Sequence, residues 1–138
     1  MEEGHGYKIK VGDRFEDVTD ETVNMHVIEI LVDEAYTNAK NKGWWDQDPE
    51  RSFPEQIALM HSELTEALEE YRNHKLDPAK FLYYNAEGKP EGIAAEFADE
   101  LIRIFDTCGH YNIPLPQALI EKMRYNRTRP HRHGGKAC

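Results

Sequence analysis

Glu63-Leu64-Thr65-Glu66, inside the run Gln56 to Tyr71, and Glu96-Phe97-Ala98-Asp99, inside the run Gly92 to Tyr111, decide how this chain is read. Residues three apart on a helix lie about one turn apart on the same side. Glu63 and Glu66 therefore form one acidic edge, and Glu96 and Asp99 form another. Each edge borders an apolar stripe: Ile57, Met60, Leu64, Leu68 and Tyr71 on the first run, and Ile93, Phe97, Leu101, Ile104 and Phe105 on the second. If the stripes pack together, four carboxyl groups converge along the seam. Two like charges about 5 Å apart repel by roughly 3 kcal/mol at an effective dielectric of 20. Such a cluster raises its own pKa values or binds cations. Hard divalent cations with oxygen ligands, Mg²⁺ above all, are its natural partners. The plainer alternative is a pair of solvated helix faces, since Glu is a good helix former.

Working outward, 138 residues are enough for one domain with a real core. No apolar run reaches the length of a membrane span, and Met1 to His5 carry no signal-peptide pattern. Two cysteines, Cys108 and Cys138, suit a reducing compartment better than a disulfide framework, so cytoplasm is the expected location. A net charge of −9 argues against binding a nucleic-acid polymer. The charge is unevenly spread. Six of the 17 Lys and Arg residues lie from Lys122 onward, where there is no Asp or Glu. An acidic body with a basic end can hold metal ions in one part and phosphate in the other. A basic end that only neutralises the body, or is disordered, is the alternative.

Residues 1–18 read as a lead-in in which Tyr7 to Val11 alternates like a short strand. Residues 19–130 read as one helical domain, and 131–138 as a basic tail. A first helix is expected after Thr19 or Asp20, stopping at Gly43. Trp44 and Trp45 follow in a loop, where one can anchor packing and the other stack on a base or ring, or both can cap the core. Pro54 fits the first turn of the second helix, with Ser52 near its cap. A connector rich in turn formers spans about 73–90, and its Phe81, Leu82, Tyr83 and Tyr84 point to folding back rather than waving free. The third helix ends near Asn112. On it Arg103 follows Asp99 by four residues, which lets it orient a ligating carboxylate or form an ordinary helix ion pair. A fourth helix, about 115–126, places Lys122 and Asn126 on one face. The expected fold is therefore all-α, a compact bundle of about four helices.

Several chemistries are excluded. Gly134-Gly135-Lys136 lacks the phosphate-loop pattern and follows no strand. His131-x-His133 with Cys138 fits no standard closed zinc site. Neither acidic helix contains the Glu-x-x-His of di-iron bundles.

The residues resemble one family, the MazG-like all-α nucleoside triphosphate pyrophosphohydrolases. The likeness runs from about Lys42 to Lys136. It is carried by His61 to Glu69, by Lys89 to Asp99 with Ile102-Arg103, and by Lys122-Met123-Arg124-Tyr125-Asn126-Arg127-Thr128-Arg129-Pro130 with the basic segment after it. The resemblance implies Mg²⁺, with Mn²⁺ as a substitute, held by Glu63, Glu66, Glu96 and Asp99. It implies that Lys122, Asn126 and Arg129 contact the phosphates, and that helix faces pair the chain into a homodimer or homotetramer. It further implies hydrolysis between the α- and β-phosphates of a (deoxy)nucleoside triphosphate, with Glu63 or Glu66 handling the attacking water. Asn38, Trp44, Trp45 and Phe53 are the candidates for a base pocket. Two features depart from the pattern: Ser62 stands where some members carry a further Glu, and the interval between the motifs, residues 67–95, is long. A non-catalytic nucleotide- or metal-binding regulator on the same scaffold is the rival expectation.

Overall fold

The computed structural model describes residues 8–11 and 13–131. Their order is β1 (Lys8–Val11), β2 (Arg14–Asp17), α1 (Asp20–Asn41), α2 (Phe53–His74), a short 3₁₀ turn (Pro78–Lys80), β3 (Tyr83–Tyr84), β4 (Pro90–Glu91), α3 (Ile93–Tyr111) and α4 (Leu115–Thr128). The protein is mostly helical, as its periodicity implies. The only sheets among the described residues are two antiparallel hairpins, β1–β2 and β3–β4. No described helix is long and apolar enough to cross a membrane. The chain divides into two compact units, residues 32–113 and residues 1–31 with 114–138, and α1 runs through both.

Within the 32–113 unit, α2 starts where its capping chemistry dictates. Ser52 accepts from the Glu55 amide while the Glu55 carboxylate accepts from the Ser52 amide at 2.6 Å, and Pro54 sits in the first turn. This reciprocal box satisfies two amides that have no partner inside the helix. The helix α3 closes on Asn112 in the left-handed region, a conformation that Asn tolerates. The packing of α2 on α3 is the most extensive between any two elements. Small residues, Ala67 on α2 and Ala95 on α3, are buried.

The two apolar stripes are covered only in part: Met60, Ile93, Ile104 and Phe105 are half-buried. Ile57, Leu64, Leu68 and Tyr71 are exposed, as are Phe97 and Leu101, whereas the buried residues of α2 are Gln56, Glu63 and Ala67. The inward line is thus displaced by one residue, about 100° around the axis, from the line of Ile57, Leu64 and Leu68. The consequence is that Glu63 points inward instead of bordering the seam.

The connector folds back onto the same unit. The Tyr83 hydroxyl donates to the Glu70 carboxylate at 3.2 Å, and the Ala94 amide donates to the Phe81 carbonyl at 2.9 Å. Gly92 caps α3 at φ +106°, and a Cβ there would lie 2.5 Å from the Phe81 carbonyl oxygen. Gly109 lets α3 close on α1, where a Cβ would meet the Tyr36 side chain at 2.5 Å. The second unit holds β1, β2, the start of α1 and α4. There the Glu21 carboxylate accepts from Arg124 and Arg127, which hold its pKa below the usual carboxylate range.

Gly92 combines a left-handed backbone with contact to main-chain atoms that cannot move aside, so Gly92→Ala should destabilise the protein by about 2 kcal/mol or more. Gly88, at φ +82° with open space around its missing side chain, should cost about 1 kcal/mol on the same change. Urea unfolding of the two variants checks the ordering.

Candidate metal and nucleotide site

The α2–α3 packing brings carboxylates from both helices together. One oxygen each of Glu63, Glu96 and Asp99 lie within 4.8 Å of one another. Glu63 and Glu96 are buried, each 5% exposed, while Asp99 is open to solvent. Glu66 is exposed and lies outside this group of three, but its charge still reaches Glu96. Burial comes first in raising the Glu96 pKa, followed by repulsion from Glu66, Asp99 and Glu63, with Lys89 opposing. Burial also leads in raising that of Asp99, with Glu63 adding to it and Lys89 and Arg103 opposing.

Arg103 sits across the interface from where its spacing alone would place it. Its guanidinium Nε donates to Glu63 Oε1 on α2. It therefore fixes a carboxylate of the group, Glu63 instead of its own-helix neighbour Asp99. Glu100 was not singled out by the motif, because it falls between the marked positions. It is half-buried, one of its carboxylate oxygens has no hydrogen-bond partner among the described residues, and burial and the Glu63 charge raise its pKa.

The donor set fits a hard divalent cation. Three carboxylates offer oxygens, and opposite oxygens around an octahedral Mg²⁺ lie about 4 Å apart, so small side-chain rotations close the group around one ion. Burial, with repulsion between the acids, raises the pKa values of Glu96 and Asp99, and a cation held between them would favour their ionised forms.

Beside the acids lies a cavity of about 270 Å³, to which Glu63, Asp99 and Arg103 contribute. Asn38, Trp44 and Trp45 line the same cavity as two of the acids, whereas Phe53, the fourth base-pocket candidate, is not among its lining residues and packs edge-on against Tyr111 at 5.1 Å between ring centroids. The adjacent tryptophans divide their labour. Trp45 stacks on His110 with ring centroids 3.6 Å apart, and its indole N–H donates to Asp106 Oδ1 at 2.8 Å. Trp44 is 54% exposed, and the Arg51 guanidinium lies 5.2 Å from its ring centroid. Gln56 and Asp106 also line the cavity. A signal for both was present: Gln56 precedes Glu63 by seven residues and Asp106 follows Asp99 by seven, two turns along the same face.

The candidates for phosphate contact belong to the other unit. Lys122 and Asn126 lie on α4 and Arg129 caps it, with Lys122 and Arg129 standing 5.6 Å and 5.9 Å from the Tyr125 ring centroid.

An acid whose folded pKa is raised binds a proton more tightly folded than unfolded. Its ionisation costs stability at pH values above the usual carboxylate range, and protonation removes the cost. Metal-free protein should therefore lose thermal stability as pH rises from about 4 toward neutrality on account of Glu96. Glu96→Gln should be more stable than the parent at pH 7 without divalent cation. Adding Mg²⁺ at a hundred times its dissociation constant should stabilise the parent by about 2.7 kcal/mol and the variant much less. Thermal melts with chelator and with Mg²⁺ check both statements.

No protein-family model, curated protein or solved structure matches this chain. The reading of the site accordingly rests on its geometry and on the motif residues themselves.

Proposed function

We propose that the protein is a Mg²⁺-dependent nucleoside triphosphate pyrophosphohydrolase of the MazG-like kind, releasing a nucleoside monophosphate and pyrophosphate. The observation that carries this reading is the convergence of Glu63, Glu96 and Asp99 from two helices next to a cavity lined by Trp44 and Trp45. Carboxylates suited to a hard cation and aromatic rings suited to a base stand side by side.

When bound, Mg²⁺ would neutralise phosphate oxygens and make water more acidic. Arg103 holds Glu63 in place through its ion pair. Glu66, exposed and outside the group of three, is the carboxylate with freedom to accept the proton of the attacking water. The phosphate-binding role of Lys122, Asn126 and Arg129 rests on the motif resemblance alone.

The Arg103–Glu63 contact also favours a second reading. A carboxylate already engaged by a guanidinium is a weaker metal ligand, which suits a module that binds nucleotide without cleaving it. Product analysis separates the two. With Mg²⁺ and a panel of ribo- and deoxynucleoside triphosphates, monophosphate plus pyrophosphate is expected from a subset. Glu63→Gln and Asp99→Asn should each lower turnover by at least about a hundredfold, the scale of losing a principal electrostatic group, while circular dichroism stays helical. Diphosphate plus phosphate would move the cut, and nucleotide binding without product would select the regulator.

The exposed apolar line on α2, with Ile57, Leu64, Leu68 and Tyr71 between 38% and 47% exposed, supports assembly into a homodimer or homotetramer. Sedimentation at micromolar concentration should show a dimer or larger. Leu64→Glu combined with Leu68→Glu should shift the protein to monomer, and an unchanged mass would remove this face from the interface.

A further inference from the structure

The nucleotide reading leaves open which bases the cavity accepts, and two residues that the acid motifs do not include speak to this. Gln56 is 8% exposed and lines the cavity, and its side-chain carboxamide makes no hydrogen bond among the described residues. The carboxamide atoms are not among the sealed polar atoms that lack a partner, so they reach the open cavity. A carboxamide there offers both a donor and an acceptor to whatever fills the space.

Asp106 is the second residue. Its Oδ1 already takes the Trp45 indole N–H at 2.8 Å, which locks the carboxylate in orientation. The other oxygen has no partner among the described residues, and no cation pairs with the group within ion-pair distance there. An ionised carboxylate only accepts, at about four lone-pair sites. What completes it is an N–H donor. Burial, opposed by Trp45, His110 and Arg103, raises the Asp106 pKa. Flat surfaces are at hand as well: the Trp44 ring and the Arg51 guanidinium both line the cavity. Planar rings stack on such groups with little regard to sequence, so stacking binds a base and polar edges choose it. At about 270 Å³ the space lies at the small end of ligand cavities, which run from roughly 300 to 1,000 Å³.

We infer, building on the nucleotide reading, that the cavity selects bases carrying an exocyclic amino group, cytosine, adenine or guanine, over uracil and thymine. The amino group donates to Asp106, and the Gln56 carboxamide pairs with the ring atoms beside it. Cytosine and adenine each set a ring-nitrogen acceptor next to the amino group, and guanine sets a ring N–H there, which a carboxamide and a carboxylate can match. Uracil and thymine have no amino group, and their single ring N–H is flanked by two carbonyl oxygens. One of these would face a carboxylate oxygen, acceptor against acceptor. Asp106 is then a specificity residue distinct from the acid group that would hold the cation.

The test is calorimetric binding of CMP, AMP, GMP, UMP and TMP to the whole protein with Mg²⁺, since monophosphates are products and are not turned over. The amino-bearing nucleotides should bind at least about tenfold more tightly than UMP and TMP, the scale of one base-edge contact. Asp106→Asn keeps an acceptor for Trp45 but can offer an amide N–H in place of the second oxygen. It should erase or invert the preference, with melting temperature recording that the fold survives. Gln56→Leu should weaken all five ligands and spare the discrimination. Equal affinities in the parent, an unaltered preference in Asp106→Asn, or no binding by any nucleotide would each overturn the inference. Selective binding without triphosphate cleavage would leave it standing while removing the hydrolase reading. Cleavage without base preference would do the reverse.

Discussion

Everything at the site depends on the packing of α2 on α3, the most extensive between any two elements. It withdraws Glu63 and Glu96 from water, each 5% exposed, while keeping an oxygen of one within 4.8 Å of an oxygen of the other. Arg103 offsets the Glu63 charge, while burial first, and repulsion from the neighbouring acids second, raise the proton affinity of Glu96 and Asp99. The packing thus stores an electrostatic cost at one place, and a bound cation would relieve it.

The same rotation that turns Glu63 inward turns Leu64 and Leu68 outward. On a helix these outcomes cannot be separated, because adjacent residues point about 100° apart. A sequence with acids beside its apolar stripe has to choose which faces the neighbouring helix. Here the acids win within the 32–113 unit, and the apolar line is left uncovered.

Element positions were legible in the residues because caps and breakers are local. Ser52 with Pro54, Asn112 and Gly43 mark helix ends through chemistry confined to a few neighbours. The pairing of the two acid motifs was legible too, from spacing on each helix. What spacing could not supply was the rotation of α2 about its axis, since Ile57, Leu64 and Leu68 form as regular a line as Gln56, Glu63 and Ala67. Nor could it show that Arg103 reaches across to Glu63 in preference to Asp99, or that Trp45 is held by Asp106 and His110 while Trp44 stays open. Those facts depend on residues 40 and 61 positions apart meeting in space.

The connector between the acid motifs has a different kind of importance. Its base is fastened at Tyr83 to Glu70 and at Phe81 to Ala94, on the very turns that flank the acids. Its tip, the Asn85 to Lys89 turn of the β3–β4 hairpin, is closed by its own hydrogen bonds, and at its end the Lys89 charge reaches Glu96 and Asp99. Length along the chain is therefore uncoupled from distance in space. Residues added at that tip, in pairs that preserve the strand register, would lengthen the interval without moving Glu63 relative to Glu96. The long interval between the motifs is then compatible with the convergence of the acids, and the hairpin tip is where the chain can drift in length, or accept a grafted loop, as long as Lys89 keeps its place beside Glu96 and Asp99.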